Sequence, residues 1–157
     1  VHFSGSLFQV HLSGSFFRKG CFTMNPLISV VIPTFNREKV LKRAIDSVVS
    51  QTYDNWELLI INDYGKEIKL DYEDMRINIK KNQYCKGGNG ARNTGITLSR
   101  GDFIAFLDVD DLWSKEKLEL QMPYFDNPEV GVVFSNFWHF VTSVSGYIAY
   151  ITLYHQY

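Results

Sequence analysis

The sequence predicts an α/β domain, a mostly parallel sheet flanked by helices. Three observations lead there. Four short runs are almost continuously apolar: Ile28–Ile32 (ISVVI), Trp56–Ile61 (WELLII), Phe103–Leu107 (FIAFL) and Val130–Phe134 (VGVVF). Runs of this kind, rich in Val, Ile and Phe, suit parallel strands covered on both faces. Helical periodicities lie between them, and strands alternating with helices favour right-handed crossovers and a parallel sheet.

The elements follow in chain order. Residues 1–23 are read as a leader or non-native extension, because Met24 precedes Asn-Pro and then a clear strand; the alternative is an extra edge strand or hairpin. They are not a signal peptide, since the basic pair Arg18-Lys19 follows the apolar stretch instead of preceding it. From Arg37 to Gln51, Val40, Leu41, Ala44, Ile45, Val48 and Val49 share one helical face, with Asn36 as the expected N-cap. Met75–Lys80 alternates and reads as a weaker strand near an edge. A second helix is expected from about Ala91 to Ser99, with Gly101 near its end. A third is expected from Ser114 to about Tyr124, with Ser114 as N-cap, Leu118 and Met122 on one face and Pro128 soon after. There is no internal repeat and no low-complexity tract.

A chain of 157 residues has room for one domain with a real core. At 45% hydrophobic and 21% charged residues it is ordinary globular material, and a net charge of −1 sets up no field for nucleic acid. The charge is unevenly placed. All 16 basic and 17 acidic residues lie between Arg18 and Glu129, and the uncharged stretch 130–157 is rich in aromatics. Because terminal segments normally expose charge to water, this pattern predicts a chain cut short at its C-terminus, with Phe137, Trp138, Tyr147 and Tyr150 unusually exposed. Cys21 and Cys85 form neither a CxxC pair nor a disulfide framework, which makes a reducing cytoplasm the default compartment. The late apolar run Tyr147–Leu153 is far below the roughly 20 residues a spanning helix needs.

The chemistry gathers at the strand ends. The four apolar runs lead into Pro33-Thr34-Phe35-Asn36, Asn62-Asp63, Asp108-Val109-Asp110-Asp111 and Ser135-Asn136. In open parallel sheets, ligands bind outside the carboxyl ends of the strands. Asn36 alone is as readily a cap as a ligand contact. Capping does not readily explain three carboxylates in four positions. Asp108, Asp110 and Asp111 repel one another unless a cation or proton relieves them, and the reading is a hard divalent cation held by one or two carboxylates plus substrate phosphates. The bland alternative is a solvated turn with Asp111 capping the next helix. A calcium loop of the EF-hand type is disfavoured by Leu112 and by Trp113 where its glycine belongs, although Glu119 falls at position 12. The glycine-rich stretch Lys86-Gly87-Gly88-Asn89-Gly90-Ala91-Arg92-Asn93 opens a helix, where glycines permit close approach and Arg92 offers a bidentate charge. It matches neither a Walker loop nor the dinucleotide fingerprint, and alone it reads equally well as a plain flexible loop.

Together, ISVVIPTFNREKVLKRAIDSVVSQTYDNWELLIINDYG, NGARNTGITLSRGDFIAFLDVDDLW and VGVVFSNF resemble the family 2 glycosyltransferases of the GT-A (Rossmann-like) fold, over about residues 27–140. The resemblance implies a nucleotide-sugar donor, commonly UDP-linked, and transfer to an acceptor hydroxyl with inversion. It implies that Pro33, Thr34 and Asn36 line the nucleotide pocket, Asp63 hydrogen-bonds the base, and Arg92 sits near the base or diphosphate. It makes Asp108 and Asp110 a DxD-type pair for Mg²⁺ or Mn²⁺, with Asp110 the better ligand and Asp108 near ribose and metal. One departure is Asn62-Asp63-Tyr64-Gly65, where the family usually has two acids and then Gly-Ser. Another is the lack of any acid after Glu129, whereas the family's general base comes from the C-terminal half; the base is therefore expected beyond residue 157. On this reading residues 24–157 are a truncated glycosyltransferase family 2 domain.

The implied acceptor is a glycan or lipid-linked group, as in bacterial polysaccharide biosynthesis, which also implies work at the inner membrane face. Lys39, Lys42 and Arg43 permit peripheral association, or simply solvate a helix face. Two other readings stand beside this one: a non-catalytic nucleotide-sugar-binding module, and a phosphatase of the haloacid dehalogenase class. The latter is disfavoured by Leu112, which falls where that class wants Thr or Val.

Overall fold

The computed structural model describes residues 25–127 and 129–135 in full, and the backbone of 8–10, 137–143 and 146–152. The sheet is built on β2 (Ile28–Thr34), β3 (Trp56–Asn62), β4 (Ile77–Lys81) and β5 (Phe103–Phe106), with β1 (Phe8–Val10) and β6 (Val132–Val133) added beyond β5. The strand order is β4-β3-β2-β5-β1-β6. The first four strands in that order pair in parallel, and β1 runs antiparallel to both β5 and β6. Within residues 1–23, Phe8–Val10 forms β1 inside the sheet, between β5 and β6; the rest of that segment lies outside the described residues.

The apolar runs are continuous because both sheet faces are covered. Val30 and Ile32 point into a cluster with Leu41, Ala44, Ile45 and Val48 of α1 (Glu38–Val49). Their neighbour Val31 points the other way, against Ala91 of α2 (Gly88–Leu98), together with Leu59, Ile61 and Ile104. Every residue of β3 is buried, even Glu57, whereas β4 at the sheet edge is half-buried to exposed.

Several expected boundaries move. Asn36 does not cap α1. It has φ 50°, and its Oδ1 accepts the Lys66 N–H at 2.8 Å, so Arg37 becomes the capping residue without a side-chain bond. Ser114 caps nothing either: α3 is only Lys117–Gln121, continued by a 3₁₀ turn over Met122–Asp126. The Ser114 carbonyl is taken by Gln51 Nε2 at 2.7 Å and the Lys117 N–H at 3.1 Å. α2 starts earlier than expected and takes Gly88 to Gly90 into its first turn. The last buried strand, expected over Val130–Phe134, shrinks to two residues with Val132 and Phe134 exposed. The uncharged stretch folds as a hairpin of β7 (Phe137–Ser143) and β8 (Gly146–Thr152), with Phe137 opposite Thr152. The side chains of Phe137, Trp138, Tyr147 and Tyr150, expected to be exposed, lie outside the described residues.

Candidate functional site

A parallel sheet opens a crevice where the chain leaves a central strand toward opposite sides. Here β2 is that strand, with β3 on one side and β5 on the other. The ladder extends past the strand ends, with the Asp63 N–H donated to Thr34 O at 2.8 Å and the Leu107 N–H to Val31 O at 3.0 Å. Above it lies a cleft of about 290 Å³ lined by Pro33, Thr34, Phe35, Arg37, Asp63, Gly88, Arg92, Asp108, Val109 and Asp110.

Two arginines meet two carboxylates in this cleft. Arg92 Nη2 stands 2.5 Å from Asp108 Oδ1, and Arg37 Nη1 stands 2.6 Å from Asp110 Oδ2. These ion pairs relieve the repulsion expected within the acidic triplet. Asp111 is set apart from the other two by burial, its N–H donated to Asp108 O at 3.0 Å.

The cleft wall contains an unsatisfied group. Thr34 is buried, and among the described residues its Oγ1 has no hydrogen-bond partner. Buried hydroxyls almost always find a partner, so an orphan on a cleft wall points to a ligand. Asp63 is buried too. Its Oδ1 accepts from Asn82 Nδ2 at 2.7 Å and its Oδ2 from the Gly87 N–H at 2.8 Å. Gly87 has φ 124°, a conformation that a side chain would strain, and it turns that N–H toward Asp63 as α2 begins. Phe35 exposes its ring at the rim, with Lys86 Nζ 4.6 Å from its centroid.

Six of the expected site residues line one cleft: Pro33, Thr34, Asp63, Arg92, Asp108 and Asp110. Asn36 is not in the lining, and its side chain holds the loop after β3 instead. Sequence reasoning did not single out Arg37, Phe35 or Val109 as lining residues, whereas Gly88 belongs to the glycine-rich stretch it marked for close approach. Phe35 stands between two residues that were expected there, so adjacency was an available signal. Nothing local signals Arg37, because its partner lies 73 positions away.

Lys117, the first residue of α3, is buried. Burial pushes its ammonium down to about 8, and its Nζ donates to Ser135 Oγ at 3.1 Å.

A divalent cation can be tested against these residues. Among those described, no group of three or more His, Cys, Asp or Glu side chains converges as a metal cage. Asp108 and Asp110 each give one oxygen to an arginine and retain a second, Oδ2 and Oδ1 respectively. This donor set suits a hard ion that takes one or two carboxylates and completes its shell with water and phosphate. By donor chemistry the two carboxylates fit an ion of that kind.

Residues 29–154 match the family model described as glycosyl transferase family 2. The chain belongs to this family. Its sequence is 39% identical over 115 residues to the Escherichia coli UDP-Glc:alpha-D-GlcNAc-diphosphoundecaprenol beta-1,3-glucosyltransferase, covering 71% of this chain and 46% of that one. The chain thus spans about half the length of that family 2 relative. Its fold is similar to a Pyrobaculum calidifontis mannosyltransferase solved with GDP-Man and Mn²⁺, with TM-score 0.60, 20% identity, and coverage of 69% of this chain and 34% of that one. It is also similar to S. aureus TarS 1-349 solved with UDP-GlcNAc, with TM-score 0.55, 24% identity, and coverage of 63% and 31%. These likenesses establish the GT-A glycosyltransferase fold, a parallel sheet with flanking helices.

Proposed function

We propose that the cleft is the donor site of a glycosyltransferase, which takes a UDP-linked sugar and passes it to an acceptor hydroxyl with inversion. The observation that carries this is the grouping of an orphan hydroxyl, two arginines and two carboxylates at the crevice beside β2. That set suits a nucleoside diphosphate better than a neutral metabolite. The Thr34 hydroxyl would hydrogen-bond the nucleotide, the Phe35 ring offers a face for its base, and Arg92 matches phosphate oxygens in its fork geometry. Asp63 would address the base and hold the loop before α2 in place. Asp110 and Asp108 would hold Mg²⁺ or Mn²⁺. The bound ion would neutralise charge growing on the departing diphosphate. The 39%-identical relative is a UDP-glucose transferase acting on a diphosphoundecaprenol-linked sugar, which supports a UDP-sugar donor and a lipid-linked acceptor for polysaccharide synthesis, and so work at a membrane surface. Among the described residues no helix is long and apolar enough to cross a membrane. None of the cleft residues is assigned the activation of the acceptor hydroxyl.

Titration calorimetry with UDP in the presence and absence of Mn²⁺ tests this. The expected result is binding that strengthens with Mn²⁺ and loses that gain in Asp110→Ala. No heat under either condition, or an Asp110→Ala variant indistinguishable from the parent, overturns the reading.

A further inference from the structure

We propose that Arg37 is a latch on Asp110: it holds this carboxylate while the cleft is empty and passes to the donor's diphosphate when a cation takes the carboxylate. The inference deepens the donor-site reading and rests on it. The root of Arg37 is fixed. Its carbonyl accepts the Val40 and Leu41 N–H groups at 3.1 and 3.0 Å, which starts α1. The residue before it is tied across to Lys66 through Asn36 Oδ1. Its head is not fixed. Among the described residues the guanidinium makes one hydrogen bond, Nη1 to Asp110 Oδ2, between side chains about half exposed (54% and 47%).

Elsewhere the same chain contains a pair built to stay closed. Arg100 grips Glu57 Oε2 with both Nε and Nη2, at 2.8 and 2.6 Å, on a carboxylate only 3% exposed. Arg37 has neither the second prong nor the burial. A one-pronged, half-exposed pair in water contributes little and opens readily. A divalent ion on Asp110 would repel the guanidinium and leave it without an anion. The diphosphate of the donor, entering the same cleft, is the next anion within reach and the one whose geometry suits an arginine. Arg37 would thereby hold back cation binding before the donor arrives and aid donor binding afterwards.

These two effects have opposite signs, which a merely structural role would not produce. The test is calorimetry of Mn²⁺ alone, then of UDP at saturating Mn²⁺, on the parent chain, Arg37→Gln and Lys39→Gln. Lys39 is exposed on the same turn of α1, so its variant controls for the loss of one positive charge. The expected result for Arg37→Gln is Mn²⁺ bound about two- to fivefold more tightly, the scale of an exposed ion pair, and UDP bound about tenfold more weakly. Lys39→Gln should stay near the parent in both. Mn²⁺ affinity no higher in Arg37→Gln, or raised equally in Lys39→Gln, overturns the latch. Undiminished UDP affinity overturns the handover. A parent chain that binds no UDP while the Mn²⁺ difference persists overturns the donor-site reading and the handover together, and supports the latch.

Discussion

Asp63 Oδ2 accepts the backbone N–H of Gly87 at 2.8 Å. One carboxylate thus joins the end of β3 to the start of α2, and its other oxygen holds Asn82 at the end of β4. Asn82 in turn accepts from Thr94 Oγ1 at 2.7 Å, inside α2. The glycine-rich start of α2, which carries Arg92 into the cleft, is therefore moored to the strand ends by a buried polar network. Networks of this kind specify one geometry when every member is satisfied.

Asp63→Asn tests that mooring. An amide offers one acceptor and one donor, so one of the two donors now facing the carboxylate would meet another donor. The expected loss is about 1–3 kcal/mol of stability, the scale for stranding a buried polar group. Urea unfolding measures it. UDP affinity should fall in the same variant, because the Arg92 helix loses its tether. A stability equal to the parent's would mean the network is slack.

Gly90→Ala addresses the same turn from the steric side. A Cβ built there would stand 1.9 Å from the Cys85 backbone oxygen, which is backbone and cannot swing aside. The first turn of α2 must move. Overpacking of this sort costs about 1–3 kcal/mol. The thermal midpoint should drop, and Mn²⁺-dependent UDP binding should weaken by more than global unfolding accounts for. Retained affinity in a folded Gly90→Ala chain would show that the position of α2 does not matter to the donor.

The sheet was readable from sequence because burial on both faces writes itself as an unbroken apolar run, as in Val30, Val31 and Ile32. The α1 face was readable for the matching reason: Leu41, Ala44, Ile45 and Val48 all point into the core. What failed were decisions made by distant partners. Asn36 is a good cap by residue type, yet its side chain goes to Lys66, 30 positions away. Ser114 is a good cap by residue type too, yet α3 begins only at Lys117, and the Ser114 carbonyl accepts from Gln51, 63 positions back. The acidic triplet was legible as a cluster at a strand end, but not as two arginine-paired carboxylates plus a buried third. Charge pairing across a fold leaves no periodic trace in the chain.

At the amino-terminal end of β3, Glu57 makes stability depend on acid. Burial pushes its carboxyl up, but the hydrogen bond from the Ser29 hydroxyl and those from Arg100 outweigh this and hold it below its ordinary value of 4.5. A group depressed in the folded state stabilises above its unfolded value and loses that contribution as pH falls through the folded one. Stability should therefore decline as pH drops below about 4.5, the unfolded value. In Glu57→Gln that part of the decline should vanish, while stability at neutral pH falls by about 1–3 kcal/mol with the charged bonds gone. Urea unfolding at a series of acidic pH values measures both. An identical acid slope in the two chains would exclude Glu57 as its source.

Lys117 gives the complementary prediction at high pH. Its ammonium sits at about 8 in the folded chain against an ordinary 10.5, because burial disfavours the charged form. Between those values the unfolded chain binds the proton that the folded chain has released. Stability contributed by this residue should therefore rise from about pH 8 to about 10.5 and be flat below, where both states are protonated and the burial penalty is in full force. The clean readout is a difference, parent minus Lys117→Met, from urea unfolding at each pH. Methionine keeps an unbranched chain in the buried space against Trp113 without a charge. A parent-minus-variant difference that climbs through the window supports an ammonium destabilised by its burial. A flat difference across it would mean that Lys117 keeps its proton when folded, held by partners strong enough to offset burial.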